Sequence, residues 1–305
     1  MLFGPTAVGK TELIKTLFRK DAEIINADSL QVYRDLNIGT AKPEKGLLDA
    51  VPHHLIDIKN PKESYDTGEF VRLADSLIPD ILHRKKLPVI SGGTAFYLKN
   101  FLYGVSHAPQ AEEKVRIKIR KRLSREGAPA LYRELKEIDP ESAEKISEND
   151  IYRLTRALEV YETSGKPLSF FAVPDRPREK YRFLLLGLDR PRDELYRRID
   201  FRVEKMFGIG LTEEIKGLLA AGVSWDDQSM KGIGYREFSL LPSTGCYLLR
   251  DIKELIKRNS RRFAKRQLTF FRKFPDVRWY HPDNVQSIKD DIAAFLGPLD
   301  FGGRY

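Results

Sequence analysis

The stretch Gly4-Pro5-Thr6-Ala7-Val8-Gly9-Lys10-Thr11 has the spacing G-x-x-x-x-G-K-T and lies between a short apolar run and a helical pattern. Its glycines let the backbone curl so that successive N–H groups point inward, and the following helix adds its positive N-terminus. Lys10 supplies a mobile cation, and the Thr11 hydroxyl can hold Mg²⁺ or a phosphate oxygen. The motif therefore predicts a polyphosphate site of the kind found in nucleotide- and ATP-binding proteins. It leaves open whether the ligand is ATP or another pyrophosphate.

Short apolar runs alternate with helical patterns after this loop. A short first strand over residues 1–3 precedes the loop, and the later predicted strands are Ala22–Ile25, His54–Ile58, Leu87–Ile90 and Phe183–Leu188. The predicted helices are Glu12–Lys20, Phe70–Arg84, Ala95–Tyr103 and Arg192–Phe207. This alternation predicts an α/β fold with a P-loop-type parallel sheet core.

The middle of the chain has a different pattern. From Ala111 to about Gly165 it is helical without a convincing strand, and a proline-rich stretch follows at 173–177. We therefore expect a helical insertion domain over residues 108–178, within an α/β core formed by residues 1–107 and 179–305.

Charge and cysteine content narrow the class of protein. The 305 residues carry a net charge of +9, which suits a phosphate-rich partner. Cys246 is the single cysteine, which excludes a disulfide framework and a Cys-based zinc site. No stretch approaches the roughly 20 apolar residues that a membrane helix needs. We expect a cytoplasmic protein with no membrane partner.

Two predicted helices are strongly basic. Ala111–Lys136 has nine Lys/Arg and four Glu, and Asp251–Lys273 has nine Lys/Arg and two acids. The second has an apolar stripe, formed by Ile252, Ile256, Phe263, Phe270 and Phe274. The basic residues mostly off this stripe are Arg258, Arg261, Arg262, Lys265, Arg266 and Arg272. Each helix either presents a solvated face or binds nucleic acid, and the pair together with the net charge leaves both alternatives open.

Three further sets of residues are candidates for a site. Asp28 follows a strand, at the sheet edge where ligands of parallel α/β proteins bind, but an Asp there can also be a helix N-cap. Gly92-Gly93-Thr94 is either a second anion-binding turn or a tight turn. Arg198 and Arg202 lie four residues apart, so they can clamp a phosphate or form surface ion pairs.

Taken together, these motifs resemble the tRNA dimethylallyltransferase (tRNA isopentenyltransferase) family. The resemblance covers nearly the whole chain, and the absence of a Cys/His zinc-finger extension implies the bacterial type. The segments that carry it are, in order, Gly4–Thr11, Asp28–Tyr33, Ile38–Pro43, Pro52–Asp57, Gly92–Thr94, Asn149–Asp150, Arg153–Val160, Arg198–Ile199, Gly234–Arg236 and Lys265–Gln267.

The resemblance implies a prenyltransferase. Such an enzyme moves the dimethylallyl group of dimethylallyl diphosphate to the exocyclic N6 amine of the adenosine 3′-adjacent to the anticodon, and pyrophosphate leaves. The phosphate loop would then bind the prenyl diphosphate rather than ATP. The implied partners are this diphosphate and the anticodon stem-loop of tRNA, and we expect a monomer.

The resemblance also implies the role of each site residue. Asp28 would be the general base, while Lys10, Thr11 and Arg202 would complete the catalytic set by meeting the charge of the diphosphate, with Mg²⁺ on Thr11. The target base would flip out of its stack into a channel between the domains, and the Asp251–Lys273 helix would lie along RNA backbone. The implied tRNA-binding residues are Asp28, Ser29, Leu30, Gln31, Thr94, Tyr152, Arg153, Leu154, Thr155 and Arg156.

Three other functions compete with this one. A small-molecule P-loop kinase would use ATP but has no use for two basic helices. A prenyltransferase of free adenine nucleotides is disfavoured by the length and the basic C-terminal half of the chain. An RNA-binding module with a relic phosphate loop is disfavoured because Lys10, Thr11 and Asp28 occur together.

Overall fold

The computed structural model describes residues 1–18, 21–240 and 248–297. Cys246 and Lys20, the last residue of the first predicted helix, lie outside this range. No helix in the described part of the chain is long and apolar enough to cross a membrane.

Six strands form one sheet in the described residues, and every neighbouring pair is parallel. The strands are β1 (Leu2–Phe3), β2 (Ala22–Ala27), β3 (His53–His54), β4 (Leu87–Gly92), β5 (Leu186–Leu188) and β6 (Arg278–Tyr280). Their order across the sheet is β3-β2-β4-β1-β5-β6. The predicted α/β fold with a parallel sheet is confirmed, and all strand carboxyl ends share one edge.

Twelve helices lie between and after these strands in the described part of the sequence. They are α1 (Lys10–Leu17), α2 (Lys45–Ala50), α3 (Thr67–His83), α4 (Ala95–Tyr103), α5 (Glu113–Glu126), α6 (Ala128–Ile138), α7 (Pro140–Lys145), α8 (Ile151–Ser164), α9 (Arg192–Gly208), α10 (Leu211–Ala220), α11 (Leu249–Phe271) and α12 (Val285–Leu296). Short 3₁₀ turns cover Leu168–Phe171, Gln228–Lys231 and Arg236–Leu240.

The central strand β1 has only two residues, as expected from the short run before the phosphate loop. Leu2 and Phe3 are fully buried, and β1 pairs with β4 on one side and β5 on the other. The Phe3 ring lies 4.9 Å from the ring of Phe271 and 6.3 Å from that of Trp279, measured between centroids. A short strand is sufficient here because it is hydrogen-bonded on both sides and packed against α11.

The chain divides into two compact units. One, the sheet unit, contains Met1–Leu102 and the described residues from Glu179 onward; the other, the helical unit, is Tyr103–Arg178. The helical unit has its own core, formed by Ile119, Leu131, Leu135, Ala143, Ile146, Leu154, Ala157 and Leu158. The helical unit begins at Tyr103, five residues before the predicted start at 108.

Two predicted strands are much shorter in the structure, whereas β2 and β4 each extend two residues beyond their predictions. The strand predicted over His54–Ile58 is wrong beyond His54, because Leu55 (φ 64°) and Asp57 (φ 56°) have left-handed backbone conformations that end the strand. The strand predicted over Phe183–Leu188 is shortened to β5. The edge strand β6 was not predicted.

Both basic helices also differ from their predictions. A single helix over Ala111–Lys136 is wrong, because Gly127 at φ 79° separates α5 from α6. In α11, Ile252 and Ile256 are buried as expected, but Phe263 is 36% exposed and Phe274 lies beyond the helix. The buried face continues through Ala264, Gln267 and Phe271 instead.

Candidate active site

The candidate site lies at the edge of the sheet where the strands end. The phosphate loop Gly4–Thr11 follows β1, Asp28 follows β2, and the Gly93-Thr94 turn follows β4. Because β2, β4 and β1 are neighbours in the sheet, their carboxyl ends bring these three segments together.

The phosphate loop curls tightly before α1. Ala7 has a φ of 62° and Gly9 a φ of 112°, and α1 begins at Lys10. The Lys10 ammonium donates to the carbonyls of Gly4 and Pro5, each at 2.9 Å. The lysine thus folds back over the loop that it follows in sequence.

Two arginines donate hydrogen bonds to backbone carbonyls of the phosphate loop. Arg198 Nε donates to the Ala7 carbonyl at 2.8 Å, and Arg190 Nε donates to the Val8 carbonyl at 2.7 Å. Arg198 also pairs with Glu12 at 3.0 Å. In this structure Arg198 braces the loop and forms an ion pair, which was one of the two arrangements that the sequence left open.

Gln267 joins the phosphate loop to the turn after β4. Its Oε1 accepts from the Thr6 N–H at 2.9 Å, and its Nε2 donates to the Gly93 carbonyl at 2.6 Å. The Thr6 N–H, one of the loop N–H groups expected to point inward, thus donates to a side chain in this structure. In the sequence, Gln267 stands out only as the last residue of the motif Lys265–Gln267. In the structure it is a polar residue on the buried face of α11, where it is 4% exposed.

Lys10 and Arg202 are a pair of neighbouring cations, and the charge of Arg202 acts on Lys10. Burial and, after it, the charge of Arg202 lower the pKa of Lys10 to about 8, against the opposing effect of Asp28 and Glu12. Burial likewise lowers the pKa of Arg202. Neither side chain has a carboxylate ion-pair partner among the described residues, and Arg202 Nη2 donates to the Thr40 carbonyl at 3.2 Å. Positive charge that no carboxylate balances at ion-pair distance attracts anions.

Asp28 caps a turn at the end of β2. Its Oδ1 accepts from the N–H groups of Leu30 at 2.9 Å and Gln31 at 3.2 Å. The alternative of a helix N-cap is wrong, because a turn and not a helix follows. Within the described structure no donor is assigned to the second carboxylate oxygen, Oδ2, which leaves it free to accept a proton.

Gly92-Gly93-Thr94 forms a tight turn that orients the segment after Asp28. The Thr94 N–H donates to the Ala27 carbonyl at 3.1 Å, and the Thr94 hydroxyl accepts from the Ser29 N–H at 3.0 Å. The Thr94 N–H is therefore already bound and does not face an anion.

Residues 152–156, predicted to bind tRNA, lie on α8 of the helical unit. Tyr152 is 80% exposed, and Arg153 is also exposed. The prediction for Leu154 is wrong, because this side chain is fully buried in the core of the unit. Arg156 donates to the Pro109 carbonyl at 2.9 Å, and the Thr155 hydroxyl donates to the Ile151 carbonyl at 2.8 Å. Tyr152 and Arg153 are thus the members of this segment most accessible to a ligand.

Two groups can be distinguished among the basic residues of α11, besides Arg250 and Lys265, which belong to neither. Lys253 and Lys257 pair with Glu204, and Arg261 pairs with Asp200. A second group is exposed, has no ion-pair partner in the described residues and repeats every four positions, which places it along one line of the helix; we call it the arginine row. Its members are Arg258, Arg262 and Arg266.

The described residues contain no group of three His, Cys, Asp or Glu side chains that could hold a metal ion. Thr11 is exposed in the first turn of α1, next to Lys10. A divalent cation at this point would have to take most of its oxygen ligands from a phosphate group and water, which is the usual arrangement for Mg²⁺.

Known proteins resemble this chain over most of its length. The family model described as IPP transferase matches residues 31–274. The tRNA dimethylallyltransferase of Borreliella afzelii is 43% identical over 295 residues, covering 97% of each chain. That of Geobacter sulfurreducens is 43% identical over 297 residues, covering 96% of this chain and 95% of its own.

Solved structures are similar as well. The tRNA isopentenylpyrophosphate transferase of Bacillus halodurans has a TM-score of 0.69 at 38% identity, with 97% of this chain and 95% of that chain covered. A eukaryotic dimethylallyltransferase, crystallised acting on tRNA, has a TM-score of 0.81 at 28% identity, with 98% and 78% covered.

Proposed function

The chain belongs to the IPP transferase family, and we propose that it is a tRNA dimethylallyltransferase that uses dimethylallyl diphosphate. The acceptor is the exocyclic N6 amine of the adenosine 3′-adjacent to the anticodon, and pyrophosphate is released. The observation that carries this proposal is the Lys10–Arg202 cation pair near Asp28, an anion site and a base at one edge of the sheet.

The reaction forms one carbon–nitrogen bond and breaks one carbon–oxygen bond. N6 attacks the first carbon of the dimethylallyl group, whose bond to the diphosphate oxygen breaks. Asp28 Oδ2 takes the proton that N6 loses, while Oδ1 remains bound to the turn. The leaving pyrophosphate gains negative charge, and Lys10, Arg202 and the free amides of the phosphate loop stabilise it.

We propose that Mg²⁺ accompanies the diphosphate. The Thr11 hydroxyl is the protein group available to it, next to Lys10. When bound, the ion neutralises charge on the diphosphate oxygens. Arg202 and Lys10 do so from the protein side whether or not the ion is present.

The tRNA requires a wider surface than the diphosphate. The adenosine must leave its stack before Asp28 can reach N6. In the helical unit, exposed Tyr152 and Arg153 suit base stacking and phosphate contact; in the sheet unit, the arginine row suits an RNA backbone. We propose that the enzyme acts as a monomer in the cytoplasm, where a tRNA substrate is available.

The test is incubation of the protein with radiolabelled dimethylallyl diphosphate and unmodified tRNA, with free AMP as the control acceptor. We expect label in tRNA and none in AMP, and dimethylallyl diphosphate should displace ATP from the phosphate loop. Label in AMP would instead identify an adenine-nucleotide prenyltransferase. Phosphoryl transfer from ATP without prenyl transfer would identify a kinase and overturn the proposal.

A further inference from the structure

Glu214 of α10 binds a loop that lies far from it in sequence. Its Oε2 accepts from the N–H groups of Asn37 at 2.8 Å and Ile38 at 2.7 Å. Its Oε1 accepts from the Gly39 N–H at 3.1 Å and from the Tyr235 hydroxyl at 2.7 Å. One carboxylate thus receives four hydrogen bonds, and no Lys, Arg or His pairs with it in the described chain. Three successive backbone amides that converge on one carboxylate fix the conformation of the segment that carries them.

Packing fixes the same loop from another side. Tyr235 is fully buried, and a side chain at position 39 would place its Cβ 2.5 Å from the tyrosine ring, so only glycine fits there. The Thr40 hydroxyl donates to the Leu36 carbonyl at 2.6 Å, within the loop. The position of the Thr40 carbonyl is therefore determined by Glu214, by the Tyr235 ring and by the turn itself.

The Thr40 carbonyl binds one residue proposed to hold the diphosphate and one residue of the turn that carries Asp28. It accepts from Arg202 Nη2 at 3.2 Å and from Gln31 Nε2 at 3.1 Å. Arg202 belongs to the cation pair for the diphosphate. The Gln31 backbone N–H in turn binds Asp28 Oδ1 at 3.2 Å.

We propose that Glu214 is a positioning residue for this reaction: by fixing the loop 37–40 it places the Thr40 carbonyl, which in turn orients Arg202 toward the diphosphate and Gln31 toward the turn of Asp28. Glu214 itself touches neither substrate. This inference rests on the proposed function, because it assigns Arg202 to the leaving group.

The first experiment compares Glu214→Gln with Glu213→Gln. Glutamine keeps the size of the side chain, but its amide nitrogen donates, so one of the two oxygens that hold the loop is replaced. The control changes an exposed neighbour on the same helix by the same chemistry. We expect Glu214→Gln to lower kcat/KM for prenyl transfer by about 10²-fold, the cost typical of a small misplacement of a catalytic group. Affinity for tRNA should change less than about twofold, and Glu213→Gln should match the unmutated protein.

The second experiment measures inorganic pyrophosphate, the product that Arg202 would hold. We expect Glu214→Gln to weaken its binding by about 10-fold, within the range for residues that orient the ligands of a site. In an Arg202→Ala background, Glu214→Gln should cause almost no further loss, because its effect on pyrophosphate passes through Arg202. If Glu214 has only a structural role, Glu214→Gln should lower the melting temperature. Its loss of pyrophosphate affinity should then add to that of Arg202→Ala in the double variant.

A third variant guards against misfolding. Tyr235→Phe keeps the ring that packs against Gly39 and removes one of the four hydrogen bonds to Glu214, so it should show the same two losses at smaller size. The inference would be overturned if Glu214→Gln had the same activity as Glu213→Gln, or if its loss of pyrophosphate affinity added fully to that of Arg202→Ala. In either case the unmutated chain would still transfer the prenyl group. Absence of transfer by the unmutated chain would instead count against the proposed function.

Discussion

Asp28 has two carboxylate oxygens with different surroundings. Oδ1 is bound to the N–H groups of Leu30 and Gln31, and Oδ2 is the oxygen assigned to the N6 proton. Asparagine can keep the first interaction but cannot readily accept a proton. We expect Asp28→Asn to lower the single-turnover rate of prenyl transfer by about 10²–10⁴-fold, the usual contribution of a general base. Affinities for tRNA and for the diphosphate should stay near normal.

Asp28→Ala is the matched control, because it removes the turn cap together with the base. This variant should lose at least as much rate and should also bind tRNA more weakly. An Asp28→Asn rate within about threefold of the unmutated protein would show that another group takes the proton.

Lys10 makes diphosphate binding depend on pH. Its pKa in the ligand-free protein is lowered to about 8, so the ammonium is lost as the pH rises through 8 rather than through its usual range. Only the charged form attracts a diphosphate. We expect pyrophosphate affinity, measured by calorimetry between pH 7 and 9.5, to fall above pH 8 by at most about tenfold per pH unit.

Lys10→Ala should bind pyrophosphate weakly and without this dependence. Lys15→Ala, an exposed lysine on the same helix, should behave as the unmutated protein does. A dependence that persists in Lys10→Ala would assign the titration to a different group.

The sequence identified single residues unevenly. Lys10, Thr11 and Asp28 can be predicted from the sequence because a local motif or the end of a strand marks each of them. Gln267 and Glu214 act through hydrogen bonds to segments 174 and 175–177 positions away, which no local pattern encodes. Leu154 was misassigned because a family motif transfers a position but not its exposure.

Among the helices, α11 combines a buried face with an exposed charged line. The arginine row, Arg258, Arg262 and Arg266, has no acidic partner in the described structure. Removing one interaction with an RNA phosphate should reduce the slope of log K against log salt by roughly 0.7–0.9. Replacing all three with Ala should therefore weaken tRNA binding and flatten its salt dependence, while pyrophosphate affinity stays unchanged.

Two neighbouring arginines give a direct control. Arg262 is exposed and has no ion-pair partner among the described residues, whereas Arg261 pairs with Asp200 at 2.5 Å and is already neutralised. Arg262→Ala should change the salt slope more than Arg261→Ala does. Equal slopes for the triple variant and the unmutated protein would mean that the row is only solvated surface.

Helices and strands whose apolar residues repeat regularly were predicted well, and the errors have local causes. α4 agrees with its prediction residue for residue, because its apolar positions follow the helical repeat. β6 has only three residues and lies at the sheet edge, so its pairing with β5 decides its structure. The break at Gly127 is signalled only by Gly127 and Pro129, and the basic, helix-favouring composition of residues 111–136 as a whole outweighs that local signal.

For the molecule as a whole, the two compact units carry separate cores. All residues of the helical core lie between Ile119 and Leu158, and the main core under β1 and β2 contains none of them. The Ser106 hydroxyl donates to the Phe171 carbonyl at 2.8 Å, which brings the two ends of the helical unit together. Replacing residues 110–175 with a short Gly/Ser linker should leave a cooperatively folded sheet unit that binds pyrophosphate but no longer binds tRNA tightly.

Circular dichroism and thermal unfolding test the folding of this deletion variant, and calorimetry tests its two ligands. Retained tRNA affinity would contradict a role of the helical unit in RNA binding. A cooperative unfolding transition without pyrophosphate binding would show that the phosphate site depends on the deleted unit.

Helix α9 carries both the brace of the phosphate loop and a member of its cation pair. Arg198 holds the Ala7 carbonyl, and Arg202 follows four residues later. An α-helix fixes the rise between them at about 6 Å. Substitutions at the intervening positions leave this spacing intact, whereas one inserted or deleted residue would rotate Arg202 by about 100° around the axis. Functional variants of this chain should therefore differ in composition between positions 198 and 202 but not in length.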